Sequence, residues 1–399
     1  MGKVLIVGSG KVANVTARKC CEQPEIFGEM CLTARTKNRC DDLKRELSDS
    51  RTKVISAAVD VTNPDKTLLT VKIFKPDLVI NLAPPHLNLK VMDICLQARA
   101  NYIDASYYYP KGSTACGLKE QLSYSGRFEK AGLTAVVGCG FNPGVIGIFI
   151  EYARQKLFDR ILSVDIIDAN AGKNGYPYRM NSPIGKNIRE LSSPARYYEA
   201  GEWKSAEPLE REYAYSFPEV GRSEMYLLDH ESLEHLVAVT QAERLRCFGS
   251  FKKPFLTMIR NLQCAGMTSA EPICIGGVKI SPLAFLEEVF PSPQDLASET
   301  TGKTGIGCII SGEKDGKARN CMLYSVADHE KTYTDLMSSA NDFMVGVPVT
   351  VAAEMILSGT VSAKGVHTAE IFDPESFLTR MSDAGLSWKE KAKPSIIAD

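Results

Sequence analysis

The stretch Lys3-Val4-Leu5-Ile6-Val7-Gly8-Ser9-Gly10-Lys11-Val12-Ala13 decides the fold. Residues 4–7 are apolar and mostly β-branched, the composition of a strand buried on both faces. The next six residues fit G-x-G-x-x-A and open a helical stretch over 12–21, which Pro24 closes. In such a turn Gly8 permits the tight reversal and Gly10 lets the backbone approach a pyrophosphate. Ala13 in place of a third glycine still allows close helix-sheet packing. The helix N-terminus then offers N–H groups and the positive end of its dipole to phosphate. Gly8, Ser9, Gly10, Lys11 and Val12 are therefore the expected cofactor contacts. A purely structural glycine turn is the competing reading, and the flanking strand and helix weigh against it.

Working outward, strands are expected over 30–34, 53–59, 77–82, 102–104 and 134–137. Helices are expected over 39–47, 65–74, 89–99 and 118–130. This alternation implies right-handed crossovers and an α/β fold, a Rossmann-type doubly wound parallel sheet. The breaker cluster Gly138-Cys139-Gly140-Phe141-Asn142-Pro143-Gly144 should end that domain at residue 142. Beyond it, a helix over 145–157 precedes a strand over 161–169. A long polar stretch follows over 172–183 and carries Tyr176, Tyr178, Arg179 and Asn181; loops of this length are commonly functional. A strand over 305–310, a helix over 349–358 and a charged tail complete the chain.

The second strand ends in Thr33-Ala34-Arg35-Thr36-Lys37. NAD enzymes place an acid here for the ribose 2′-hydroxyl, whereas Arg suits a 2′-phosphate through charge-assisted bonds. NADPH/NADP+ is the expected cofactor, with Arg35, Thr36 and Lys37 at its phosphate; the alternative is solvated loop charges. Asp60 and Val61 after the third strand, and Asn81, Ala83 and Pro84 after the fourth, stand where ligands of open α/β sheets bind. Asp60 could instead cap the next helix.

Composition narrows the function classes. The chain has 399 residues, 44% hydrophobic and 24% charged, with 47 Lys+Arg against 48 Asp+Glu. A net charge of -1 argues against recruitment of nucleic acid or anionic membrane by bulk electrostatics. No run of about 18 apolar residues is evident, so no membrane span is expected. The opening strand leaves no room for a signal peptide. The 12 cysteines show no CxxC pair and no zinc spacing with His. No metal site is expected, and buried free thiols indicate a reducing, cytoplasmic compartment.

Together these residues resemble the saccharopine dehydrogenase family. The similarity is closer to its carboxynorspermidine/carboxyspermidine dehydrogenase branch. It rests on the N-terminal turn, Arg35, residues 81–85 and Phe141-Asn142-Pro143-Gly144. Asn187-Ile188-Arg189-Glu190, Met225-Tyr226-Leu227-Leu228, His230-Glu231, Gly266-Met267-Thr268-Ser269, Gly302-Lys303-Thr304-Gly305-Ile306-Gly307, Phe372-Asp373-Pro374 and Gly385-Leu386-Ser387-Trp388 extend it over nearly the whole chain. The resemblance implies a Rossmann domain over 1–142, an α+β catalytic and dimerisation domain over 143–340, and a 341–399 segment returning to the first. It also implies a homodimer that condenses aspartate β-semialdehyde with putrescine or 1,3-diaminopropane, using NADPH, to carboxyspermidine or carboxynorspermidine.

That reaction needs a cationic grip on an amino-acid carboxylate and an anionic one on an ammonium. Arg179, Lys186 and Arg189 are candidates for the first, each against the alternative of a solvated charge. Asp168 and Glu231 are candidates for the second. His230, with an ordinary pKa in the useful range and Glu231 beside it, is a candidate for proton transfer. Tyr107, after the fifth strand, could donate to the nicotinamide or simply pack. Asn142 stands where the family commonly has Asp. A saccharopine-type dehydrogenase acting on a lysine-derived adduct and a non-catalytic dinucleotide-binding protein are the rival functions.

Overall fold

Strand β1 (Gly2–Val7) runs through the middle of a parallel sheet of seven strands. Its neighbours are β2 (Phe27–Ala34), β3 (Lys53–Ala58), β4 (Leu78–Asn81), β5 (Asn101–Asp104), β6 (Thr134–Val137) and the late β17 (Gly365–Thr368). The order β17-β6-β5-β4-β1-β2-β3 is doubly wound, and the direction of winding reverses between β1 and β4. Val4, Leu5 and Ile6 are fully buried, as a strand covered by helices on both faces requires. The computed structural model describes residues 1–111, 116–176, 178, 184–395 and 397.

The expected single helix over 118–130 is two, Leu118–Leu122 and Ser125–Ala131. The break falls at Ser123-Tyr124, where the Ser123 hydroxyl donates to the Glu120 carbonyl at 2.6 Å and competes with the helical ladder.

The chain forms two compact units, Met1–Gln155 with Asp342–Ser387, and Lys156–Asn341 with Trp388–Asp399. The first therefore ends at residue 155 rather than 142, because the helix Val145–Lys156 belongs to it. That helix buries Val145, Ile146, Ile148 and Phe149, and its Gly147 lies under the carboxylate of Glu370. The helix Ala340–Leu357 is longer than expected and, by length and composition, apolar enough to cross a membrane. Most of it is buried, and it serves as a core helix. Its Gly346 meets the first helix so closely that a Cβ would lie 2.7 Å from Val15. Strand β17 then pairs with β6.

The second unit is built around β7 (Arg160–Asn170). Around it lie β8 (Ala195–Glu199), β9 (Glu202–Ala206), β10 (Glu212–Phe217), β11 (Gly221–Leu228) and β12 (Arg244–Ser250). A separate hairpin pairs β13 (Ile273–Ile275) with β14 (Val278–Ile280), and the long strands β15 (Lys303–Lys314) and β16 (Lys317–Asp328) follow. The mixed sheet runs β10-β11-β12-β7-β15-β16-β18, with β8 and β9 branching from β12. Its last member, β18 (Trp388–Ala392), corrects the expectation that the whole 341–399 segment returns to the first unit. Trp388 pairs with Ser325 of β16, and Ile397 lies in the core beneath. Arg246 and Asp165, both buried, form a two-point ion pair at 2.8 and 3.0 Å.

Candidate functional site

In the first unit, Gly8 adopts φ +119°, and a Cβ there would lie 2.7 Å from the Leu82 carbonyl oxygen. The turn after β1 thus abuts the turn after β4 at the switch point, where only glycine fits. Gly10 is different: a Cβ there would meet nothing within 4 Å. It caps the helix Lys11–Cys21 without any side-chain bond, and no acidic residue stands in the first turn. An open backbone surface at an uncapped helix start fits a pyrophosphate. Ser9, Lys11 and Val12 flank it, half-buried.

Past β2, Arg35, Thr36 and Lys37 are all exposed. Lys37 pairs with Asp41 one turn on, at 3.3 Å. The Asp60 carboxylate accepts from the Thr62 backbone N–H at 2.9 Å and hydroxyl at 2.7 Å. These bonds, and more weakly the charge of Arg35, hold its pKa below the usual range. Asp60 does not cap the next helix; Asn63 does. Val61 is not a side-chain contact for a cofactor, because it is packed into the core.

Asn81 is likewise corrected. Its side chain is buried, donating to Asn88 Oδ1 and the Tyr102 hydroxyl at 3.0 Å each and accepting from the Ala83 N–H at 3.2 Å. It therefore shapes the Ala83-Pro84 turn rather than facing a ligand; Ala83 is half-buried and Pro84 exposed. Tyr107 is buried with its ring over Gly138, where a Cβ would lie 2.3 Å from it. Asn142 is half-buried and precedes a cis bond to Pro143. Burial first, then the Asp104 and Glu370 charges, push the Cys139 thiol well above its ordinary pKa, which argues against a nucleophile.

The second unit gathers most of the other candidates. On the helix Ile184–Ser192, Lys186 stands 3.6 Å from Glu190. The side chain is exposed, and the charges of Glu190 first, then Glu231 and Asp168, raise the pKa of its ammonium. His230 joins this group. Its Nδ1 accepts from the Ser232 backbone N–H at 3.2 Å, so the neutral ring carries its proton on Nε2. Burial first, and the Lys186 charge second, hold its pKa below the ordinary value, down to about 3, which favours the neutral ring as a hydrogen-bond donor. Arg189 lies on the same helix and pairs with Glu287 at 3.5 Å. Arg179 falls outside the described residues.

Two participants escape a reading by sequence. Glu190 hides beside the more conspicuous Arg189, though its i,i+4 spacing from Lys186 was visible. Asp104 ends β5 with no motif around it.

A doubly wound sheet with an open glycine turn and a basic residue past β2 defines a dinucleotide-binding dehydrogenase that takes NADP(H). The saccharopine dehydrogenase NADP binding domain matches residues 4–136, and the saccharopine dehydrogenase C-terminal domain matches residues 140–386. The chain belongs to the saccharopine dehydrogenase family. It is 37% identical over 391 residues to a carboxyaminopropylagmatine dehydrogenase from Synechocystis, covering 98% of each chain. It is 33% identical over 396 residues to a carboxynorspermidine synthase from Vibrio alginolyticus, covering 96% of each. The apo saccharopine dehydrogenase (L-Glu forming) of Saccharomyces cerevisiae shares the fold, with a TM-score of 0.75 and 17% identity over 98% of this chain and 100% of that one.

Proposed function

We propose that this enzyme reductively condenses aspartate β-semialdehyde with a diamine, putrescine or 1,3-diaminopropane, in polyamine biosynthesis. The product is carboxyspermidine or carboxynorspermidine. The Vibrio alginolyticus relative, a carboxynorspermidine synthase, supports this reading. The observation that carries the substrate class is the set of carboxylates grouped around Lys186: Glu190, Glu231 and Asp168. Carboxylates gathered in this way suit a substrate with a cationic end.

In the proposed reaction the free amine attacks the aldehyde carbon, a C–N bond forms, and the carbinolamine loses its oxygen as water. Bound NADPH supplies the hydride that reduces the resulting iminium to a secondary amine. The turn at Gly8 to Val12 would hold the pyrophosphate, and Arg35 with Lys37 the 2′-phosphate. Glu190, Glu231 and Asp168 would orient the distal ammonium, and Arg189, with Arg179, the substrate carboxylate. His230, neutral and with its proton on Nε2, would donate a hydrogen bond to the departing oxygen. Asn142 and Tyr107 would position the nicotinamide end. The reading includes a cytoplasmic homodimer without nucleic-acid or membrane partners. The hairpin β13–β14, with Ile273, Ile275 and Val278 at least half exposed, supports self-association.

A second reading replaces the diamine with agmatine. It is favoured by the name of the Synechocystis relative, since a guanidinium would meet the same carboxylates. The deciding assay follows NADPH absorbance with aspartate semialdehyde and, separately, each diamine, agmatine, lysine and glutamate. Turnover with a diamine and not with an amino acid is expected. Turnover only with agmatine would move the assignment to the second reading, and only with an amino acid to a saccharopine-type reaction. NADPH binding without turnover on any amine would indicate a non-catalytic dinucleotide-binding protein.

A further inference from the structure

A fully enclosed polar network lies under the carboxyl ends of β4, β5 and β6. Its centre is Asp104, which is 1% exposed. Four donors converge on its carboxylate. The Gly138 N–H reaches Oδ1 at 2.7 Å. The Tyr102 hydroxyl at 2.7 Å, Gln121 Nε2 at 2.8 Å and Asn88 Nδ2 at 3.1 Å reach Oδ2. The backbone carbonyl of Asp104 also accepts from the Cys139 N–H at 2.8 Å.

Backbone groups fix every orientation in the network. Gln121 Oε1 accepts from the Tyr108 N–H at 2.7 Å, so its amide nitrogen must face Asp104. Asn88 Nδ2 donates to the Ser106 carbonyl at 2.9 Å, which turns its oxygen towards Asn81. Asn81 Oδ1 accepts from the Ala83 N–H, so its nitrogen donates to the Tyr102 oxygen, and the phenolic proton goes to Asp104. Three of the four donors meet on Oδ2 and the fourth on Oδ1, and charge on the carboxylate strengthens every one of these bonds. The arrangement calls for the ionised form.

We infer that Asp104 is a positioning residue for NADP(H). Through one buried carboxylate it locks the Ala83 turn, the 106–108 segment and the Gly138-Cys139 turn. These are the three loops at the ligand-binding ends of the half-sheet that takes the nicotinamide side of a dinucleotide. The inference rests on cofactor binding alone and is independent of the amine.

The test measures NADPH dissociation constants on full-length Asp104→Asn and Tyr102→Phe, by fluorescence titration well below the melting temperature of each. Amide exchange at Gly138 and Cys139 is followed in parallel. Tyr102→Phe keeps the carboxylate and removes one donor, so it serves if Asp104→Asn fails to fold. Asp104→Asn should raise the constant roughly tenfold to a hundredfold, the range for losing hydrogen bonds to a charged group, and Tyr102→Phe by several-fold. Both should speed exchange at the two amides. Folded variants that melt earlier yet bind NADPH as the parent does would reduce Asp104 to an ordinary core residue and overturn the inference.

Discussion

Arg189 holds Glu287 by its guanidinium, with Nη1 3.5 Å from Oε1, and links the helix Ile184–Ser192 to the helix Pro282–Val289. The same carboxylate lies over Gly185, where a Cβ would come within 1.7 Å of it. Both partners are about half exposed, at 50% and 42%. Such pairs are worth only about 0–1 kcal/mol, so an incoming substrate carboxylate can displace Glu287. Arg189→Ala should raise the KM for aspartate semialdehyde roughly 10- to 150-fold, the cost of a charge-assisted bond, and leave that for the amine nearly unchanged. Glu287→Gln should lower it. Equal losses for both substrates would place Arg189 outside substrate recognition.

Gly8 and Gly10 should respond oppositely to alanine. Gly8→Ala forces a side chain into positive φ against the Leu82 carbonyl and should lower the melting temperature clearly. Gly10→Ala has open space for its methyl group and should keep stability within about 1 kcal/mol. That methyl would stand where a pyrophosphate approaches the backbone. A penalty of about 1–3 kcal/mol for overpacking there corresponds to a roughly 5- to 150-fold weaker Kd for NADPH, measurable by calorimetry. A Gly10→Ala protein with parental NADPH affinity would refute the assigned phosphate position.

Cofactor choice should depend on Arg35. NADH lacks the 2′-phosphate, so Arg35→Ala should raise the KM for NADPH and leave that for NADH almost untouched. The preference should fall by roughly one to two orders of magnitude, corresponding to about 1.5–3 kcal/mol. Because Arg35 is exposed, added salt should weaken NADPH more than NADH. An equal loss with both cofactors would make Arg35 a structural residue.

His230 yields a pH signature. Its folded pKa of about 3 lies below the ordinary 6.5, so the unfolded chain binds its proton first as pH falls. This contribution to stability is complete above pH 6.5 and is lost progressively between 6.5 and 3. His230→Gln should flatten the fall of melting temperature across that window. Lys186→Met removes a nearby cation and should raise the His230 pKa, as read by NMR titration. An imidazole titrating near 6.5 in the parent protein would contradict its neutral state.

The parts of the molecule that could be read in the sequence are those whose causes are local. The strand, turn and helix from Val4 to Cys21 announce themselves through adjacent residues, and so does Arg35 just past a strand end. Asp104 was not legible because its donors come from residues 88, 102, 121 and 138, and no spacing links them. The low pKa of His230 depends on burial first and on the Lys186 charge second, and both arise only on folding. Val61 and Asn81 were assigned from strand-end position, which locates the backbone but not the direction of a side chain. Trp388-Lys389-Glu390-Lys391-Ala392 reads as a charged tail because residues 389–392 of this edge strand are all exposed and give no alternating pattern.

The pairing of β6 with β17 has a consequence for synthesis. Val137 leaves the ribosome more than two hundred residues before its partner Thr368. At about 5–20 residues per second, the growing edge of the cofactor sheet therefore waits roughly 10–50 s without its last strand. No contiguous fragment can contain the whole of the first unit without residues 156–341 of the second running through it.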